Sequence, residues 1–317
     1  MDITSNWGAA LEPNIKRWTH DGFEEFPDTL GEVFKVVNDS TGVIRLHDSG
    51  GPRIVPKGTQ GTASTTVSRV KGYESVEAPQ IFKAKMSASE EYVRHGYYRE
   101  IQDDMKDLGS AAKQSINLFG NQVFIQGFTT TAVSYGDGLP LFSTLHTRPD
   151  GGSTWSNASS TGITLTEANL ETGMLALKQQ VSHTGKKLSI GNGNIVLMAP
   201  QSLNKESIII TNSTLRSGTP NNDVNWYRGK VSVYINPFIG SDITDFDGNS
   251  GSDTAWFLMA QGQHQLECWW DKTPTYKMWE DKDADVLYNK VYFAFKPLWA
   301  GPRGAWASKG DGAAYSD

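Results

Sequence analysis

Residues 87–126 read SASEEYVRHGYYREIQDDMKDLGSAAKQSINLFGNQVFIQ, and this stretch decides the class of fold. Its apolar residues Ile101, Met105, Leu108, Ala112, Ile116, Phe119 and Val123 recur at spacings of four and three. So narrow a stripe, sustained over two dozen residues, marks a long helix with a single buried face. The opening Ser87-Ala88-Ser89-Glu90 has capping-box spacing, in which a Ser hydroxyl and a Glu carboxylate satisfy free N–H groups at a helix start. A helix over 89–126 would be roughly 55 Å long at 1.5 Å per residue. That exceeds what a compact domain of this size requires and predicts an elongated protein. Gly96, Gly109 and Gly120 each weaken such a helix by about 1 kcal/mol relative to Ala and are expected to mark bends.

Upstream, residues 1–40 show little sustained periodicity. They are expected to form an extended arm with one short amphipathic piece near 31–38. Residues 40–86 are rich in Thr, Ser, Val and Gly. The alternation in Thr65-Thr66-Val67-Ser68-Arg69-Val70 and in Ile81-Phe82-Lys83-Ala84-Lys85-Met86 indicates strands, with Gly50-Gly51-Pro52 and 58–61 as turns. This stretch has too few large apolar residues for a core of its own. It is expected to be a long hairpin that must lie on something else.

Downstream, a Gly/Ser/Thr-rich connection over 127–163 leads to a second helix near 166–182. Leu170, Met174, Leu177 and Val181 share one of its faces, and Thr164 or Thr166 supplies the start. Strands are expected at 195–199, 231–235, 255–260, 266–270, 275–279 and 286–295, with a polar loop over 240–253. Trp256, Trp269, Trp270, Trp279, Trp299 and Trp306 all fall in the last quarter, which should therefore carry well-packed sheet or an interface. The sum is an α+β protein.

Charge is unevenly spread. The 317 residues carry a net charge of −6, which argues against general nucleic-acid affinity. Residues 1–40 hold eight acids and three bases, giving −5, and 86–317 are also −5. Between them, 45–85 hold seven bases (Arg45, Arg53, Lys57, Arg69, Lys71, Lys83 and Lys85) and three acids, giving +4. A basic segment between an acidic arm and an acidic body suggests complementary surfaces within the molecule or on its neighbours. A solvated charged loop would show the same run. Cys268 is the only cysteine, so no intramolecular disulfide forms and no Cys-based zinc site is built. The first residues lack the layout of a signal peptide, and no apolar run approaches the ~18 residues of a membrane span. A soluble protein folding in a reducing cytoplasm, with no membrane partner, is expected.

Motifs that could carry chemistry fail on inspection. His47-Asp48-Ser49-Gly50-Gly51-Pro52 nearly spells the nucleophile motif of trypsin-like proteases. His47, however, replaces the Gly of the oxyanion hole, and only 48 residues precede Ser49. Asp242, Asp245, Asp247, Gly248 and Asp253 suggest a calcium loop, yet EF-hand register would put Ile243 first and Thr254 last. The six histidines include no close pair. Gly191-Asn192-Gly193-Asn194 precedes a strand instead of following one. Asp103 and Asp104 do not face each other. Neither an enzyme nor a cofactor is expected.

The order of segments resembles the tailed-phage capsid fold of the Hong Kong 97 type. Its most specific local match is Gly138-Leu139-Pro140-Leu141-Phe142-Ser143-Thr144-Leu145-His146-Thr147, similar to the Leu-Phe-Ser-Thr-x-His segment of Mu-like major head subunits. There, as here, the segment follows a long helix ending in an Asn/Phe-rich stretch and precedes a polar loop and an amphipathic helix. Asn236-Pro237, Ala255-Trp256-Phe257-Leu258 and Gly301-Pro302-Arg303-Gly304-Ala305-Trp306 keep that family's order, so the resemblance runs from about 80 to 306. Thr147 stands where the family has Pro.

The resemblance implies an N-terminal arm (1–45), an extended β-hairpin loop lying across a neighbour (46–86) and a peripheral domain with a spine helix (87–189). An axial domain (190–265) and strands returning to the peripheral domain with a C-terminal tail (266–317) would complete the chain. It implies a major capsid protein forming hexamers and pentamers of an icosahedral shell around double-stranded DNA, without sequence-specific binding, in the virion and assembled in the host cytoplasm. Arg45, Arg53, Lys57, Arg69, Lys71, Lys83 and Lys85 become inter-subunit contact candidates. A portal and a decoration protein are the further partners. With the sequence opening on the arm at Met1, a separate scaffolding protein is expected. Lys57, Lys71, Lys83 and Lys85 lie where some relatives cross-link covalently, but no Asn partner is identifiable and cross-linking is not expected. Rival readings are an encapsulin-like compartment shell and a β-rich carbohydrate-binding protein.

Overall fold

The computed structural model describes residues 7–48, 50–52, 54–61, 63–67, 69–129, 136–188, 190, 195–215 and 223–315. They gather into two compact units. The first comprises Met1–Ile44, Glu77–Gly120 and Cys268–Pro297, and the second Arg45–Val76, Asn121–Glu267 and Leu298–Asp317.

In the first unit the chain begins with a helix, α1 (Trp7–Glu24), followed by the short α2 (Leu30–Val33) and strand β1 (Lys35–Asn38). A helix replaces the expected extended arm over 7–24. Trp7, Leu11, Ile15 and Gly22 are buried along it with Thr19, a stripe that Pro13 and the intervening charges disguise in the sequence. The long helical stretch starts two residues later than its capping box suggests. Ser89 is the N-cap, accepting from the Tyr92 N–H, and α3 (Glu90–Arg94) ends at once. Gly96 takes a positive φ of 81° and breaks the helix. The main helix, α4 (Tyr98–Ile125), is 28 residues long, which is about 42 Å at 1.5 Å per residue, not 55 Å.

The α4 stripe is buried as its spacing requires: Ile101, Met105, Leu108, Ala112 and Ile116 are all at most 5% exposed. Ile101 and Met105 share one cluster with Trp7, Leu11 and Ile15 of α1, with Ala88, and with Leu287. Gly109 and Gly120 are points of close approach, not bends. A Cβ on Gly109 would stand 2.0 Å from the Thr19 carbonyl oxygen, and one on Gly22 would stand 2.0 Å from that of Lys106. The two helices therefore meet backbone to backbone, glycine against the facing turn on each side.

A four-stranded sheet completes this unit, in the order β1, β10 (Leu266–Asp281), β11 (Val286–Trp299), β6 (Gln80–Ser89). β10 is one continuous strand where two were expected. β6 and β11 are antiparallel with Phe82 opposite Phe293. Phe82, Phe119, Phe293, Phe295 and Trp270 stack into an aromatic core at centroid separations of 4.5–6.0 Å. Such pairs add stability beyond their buried area. Cys268 is buried here, and burial pushes its thiol up to about 12, which leaves it unreactive.

The second unit holds another four-stranded sheet, in the order β12 (Ala305–Ser308), β9 (Trp256–Ala260), β7 (Ile195–Pro200), β8 (Val231–Asn236). β7 is parallel to β8 and antiparallel to β9. Its residues are buried throughout, the continuous apolar run of a central strand. Helix α5 (Glu167–Gln179) covers the sheet with Leu170, Met174 and Leu177, capped by Thr166, whose hydroxyl accepts from the Asn169 N–H. Gly173 lies against the Trp306 ring and Leu258, where a side chain would collide. Helix α6 (Asn204–Asn212) lies within the β7–β8 crossover, and neither it nor β12 is expected from the sequence. Residues 121–189 and 298–317 belong with this unit.

Gly109→Ala tests the helix contact. Ala favours a helix by about 1 kcal/mol, but the clashing atom is backbone and cannot rotate away, so overpacking of about 1–3 kcal/mol should win. Denaturant unfolding of the purified protein is expected to show a net loss of stability.

Candidate inter-subunit site

The basic segment begins at β2 (Ile44–His47), which pairs with β5 (Glu74–Glu77). Inside that pair, β3 (Gly50–Pro52) runs antiparallel to β4 (Arg69–Val70) with a shift in register. Gly50-Gly51-Pro52 is therefore strand, not turn. The hairpin itself is present, with its turn at Gly61 in a positive φ of 82°. Of the described residues in Thr65-Thr66-Val67-Ser68-Arg69-Val70, only Arg69 and Val70 are strand.

The hairpin has almost no interior. Every described side chain over 54–66 is exposed, including Ile54 at 69% and Val55 at 80%. Arg45, Lys57, Arg69 and Lys71 are all exposed on it. Lys71 pairs with Glu74 at 3.1 Å, and His47 lies 3.5 Å from the same carboxylate. The Lys71 ammonium holds the Glu74 carboxyl below the usual range. Lys83 and Lys85 are not loop residues. They stand on β6, in the first unit's sheet, opposite Tyr292 and Lys290. Arg53 lies outside the described residues, as do Ser49 and Gly191-Asn192-Gly193-Asn194.

Where the hairpin leaves β2, the second unit contains a buried charged cluster that no sequence motif announces. Asp48 is 3% exposed, and its N–H donates to the Tyr73 carbonyl at 3.0 Å, tying the hairpin's two limbs together. Its carboxylate pairs with His183 Nε2 and lies 3.6 Å from Arg303 Nη1. Arg303 donates through Nε to the Val181 carbonyl at 2.7 Å and lies over the Trp155 ring at 4.7 Å. Burial pushes the Arg303 guanidinium down to about 10, with Asp48 pulling the other way. Trp155 stacks in turn on His146, whose Nδ1 is 2.7 Å from Asp137. From the hairpin, Tyr73 shares a 2.7 Å hydroxyl bond with Thr147, and Ser75 accepts from the Gly136 N–H. A cavity of about 10 Å³ among Asp48, Tyr73, Asp137, His183 and Arg303 has room for one water.

His146 and Leu141-Phe142, from the segment that carries the resemblance, are fully buried here. That segment is an anchor. The acidic loop near 245 is likewise built into the fold, since Asp245 accepts from the Asp247 and Asn249 N–H groups and from Gln126. Among the described residues no group of three or more His, Cys, Asp or Glu could hold a metal ion. No helix among the described residues is long and apolar enough to cross a membrane.

Solved structures with a similar fold include the procapsid of bacteriophage JBD30, 13% identical with 97% of this chain and 76% of that one covered (TM-score 0.50). The mature capsid of bacteriophage PhiM1 is 12% identical, with 87% and 84% covered (TM-score 0.51). A virus-like particle from Pyrococcus furiosus is 11% identical, with 93% and 98% covered (TM-score 0.50). This is the fold of the tailed-phage capsid subunit. The Hong Kong 97-type α+β reading of the sequence is the fold observed. No protein family matches the chain by sequence, and no curated protein does.

Asp48→Asn would leave Arg303 buried beside a neutral amide. Breaking one side of a buried pair costs about 3–5 kcal/mol. Thermal unfolding should show that loss, whereas Glu74→Gln, which breaks only an exposed pair, should leave the melting temperature essentially unchanged.

Proposed function

We propose that the chain is the major capsid subunit of a tailed double-stranded DNA phage, assembling through its hairpin into hexamers and pentamers of an icosahedral shell. The observation that carries this reading is the hairpin itself, set in a capsid-type fold. The described residues of 54–66 bury no side chain of their own, expose Ile54 and Val55 and carry Lys57, and Arg69 and Lys71 are exposed on the returning limb. Ordering such a segment costs conformational entropy that its own contacts do not offset, so its partner surface lies on another molecule. A basic loop meeting an acidic neighbour would steer docking and set its register. In a closed lattice of identical copies that neighbour is a second copy.

On this reading 1–45 is the arm, now with a helical core, and the loop over a neighbour, expected over 46–86, ends at β5, with 80–86 belonging to β6. α4 is the spine of the peripheral domain, and the sheet centred on β7 forms the axial domain. The role is structural, not enzymatic, in the virion after assembly in the host cytoplasm. A separate scaffolding protein, a portal and a decoration protein are the accessory partners. The likeness to the Pyrococcus furiosus virus-like particle supports a second reading, a cellular compartment shell built on the same fold.

Charge reversal tests the loop. Lys57→Glu, Arg69→Glu and Lys71→Glu together should leave the subunit folded by circular dichroism yet reduce particle yield at least tenfold in negative-stain microscopy and light scattering. Unchanged yield would sink the docking role. Nuclease-protected DNA in particles from infected cells would favour the phage reading, and an enclosed protein cargo the compartment.

A further inference from the structure

The first unit's sheet has one face buried and one exposed, and the exposed face carries a row of lysines. Phe82, Leu287, Val291 and Phe293 point inward and are largely buried. On the other face the register sets Lys85 opposite Lys290 and Lys83 opposite Tyr292. On the far side of β11, Trp279 stacks on Tyr288 (5.3 Å between centroids) and the Thr275 hydroxyl reaches the Tyr292 carbonyl. Those two contacts bracket Lys277 beside Lys290. Lys85, Lys290 and Lys277 therefore cross three strands in one line, about 5 Å per step.

Like charges directly opposite one another destabilise a sheet. Here the relief is aromatic alone, with Lys85 over the Tyr288 ring at 4.2 Å and Lys290 5.8 Å from the centre of the Tyr292 ring. None of Lys83, Lys85, Lys277 and Lys290 forms an ion pair with a described residue, and the row holds no carboxylate. The polar groups between them, from Tyr288, Tyr292 and Trp279, include three further hydrogen-bond donors. The aromatic faces are already engaged: Tyr288 stacks on Trp279 and also carries the Lys85 ammonium 4.2 Å from its centroid. Unpaired bases would thus find little free ring surface. Lys83, Lys85, Lys290 and Trp279 line a shallow groove of about 400 Å³, open to a rod lying across it.

We propose that this face binds the phosphate backbone of duplex DNA without reading sequence. The inference rests on the capsid reading for its ligand, since an enclosed genome is the polyanion held against the subunit in excess. It also qualifies the net charge of −6, which excludes general affinity for nucleic acid but not one local cationic strip. Phosphate contacts position a duplex and carry no base specificity.

The test uses the full chain and a labelled 20-base-pair duplex, followed by fluorescence anisotropy across a salt titration. Lys85→Gln, Lys277→Gln and Lys290→Gln together remove the row and its repulsion, so the variant should be at least as stable as the parent. Its affinity should fall at least tenfold, and the slope of log K against log salt should shrink by about 2–3, near 0.9 for each phosphate no longer neutralised. The hairpin charge-reversal variant should bind the duplex with the same row-dependent affinity even where it fails to assemble. Equal duplex binding by parent and row variant would overturn the proposal. So would binding of a poly-glutamate peptide in place of the duplex, which would mark the face as an acidic-protein site. Particles that form normally while neither chain binds DNA would sink this inference alone, and duplex binding without any particles would sink the capsid reading alone.

Discussion

A helix of 28 residues with one apolar stripe owes its stability to whatever covers that stripe, and the first unit is arranged to cover α4. The cover comes from α1, from the end of β6 and from Leu287 on β11, segments far apart in sequence. Closest of all is α1, because Gly22 and Gly109 let the two backbones touch. Most polar groups in this seam are paired, although the buried Asn289 Oδ1 has no hydrogen-bond partner among the described residues. Thr19 donates to the Ile15 carbonyl and accepts from Asn289, and Asn117 accepts from Thr29 while donating to the Pro27 carbonyl. The sheet can then place its aromatic residues against the lower part of the helix and its lysines on the opposite face.

Strong periodicity made α4, α5 and the central strands readable in advance. Continuous burial did the same for β7, whose six residues are apolar apart from their closing proline. What stayed hidden has physical causes. In α1 the stripe of Trp7, Leu11 and Ile15 is interrupted by Pro13, which sits in the second turn, where its missing N–H and its ring cost more than at the helix start. In β10 a proline, Pro274, splits one strand into two apparent ones, although the chain passes through it unbroken. Helix α6 has a weak apolar face, with Ile208 and Ile209 exposed, so its helicity follows from the crossover it completes. The placement of Lys83 and Lys85 depends on pairing with β11, two hundred residues later, which no local pattern encodes.

The candidate site separates two uses of charge. On the hairpin, Lys71 and Glu74 meet in water, where a pair contributes little to stability and much to recognition. At its root, Asp48, His183 and Arg303 are shut away, where mismatching costs far more than matching gains. His47 and Asp48 are sequence neighbours with opposite fates, one exposed and one 3% exposed. The resemblance segment 138–147 was legible as a signature, but the bond from its Thr147 to Tyr73 of the hairpin emerges only when distant segments meet in the folded chain.

The discontinuity of the first unit also bears on synthesis. Its sheet is bridged only when β11 lies between β10 and β6, and Val286–Trp299 is among the last of the chain to be made. At about 5–20 residues per second, roughly 13–52 s separate the emergence of Glu24 from that of Val286. Throughout that time α4 lacks part of its cover, so the first unit of a nascent chain tethered to the ribosome stays unfinished. Completion of the polypeptide, set by the order of its strands, is the clock for closing the first unit's sheet.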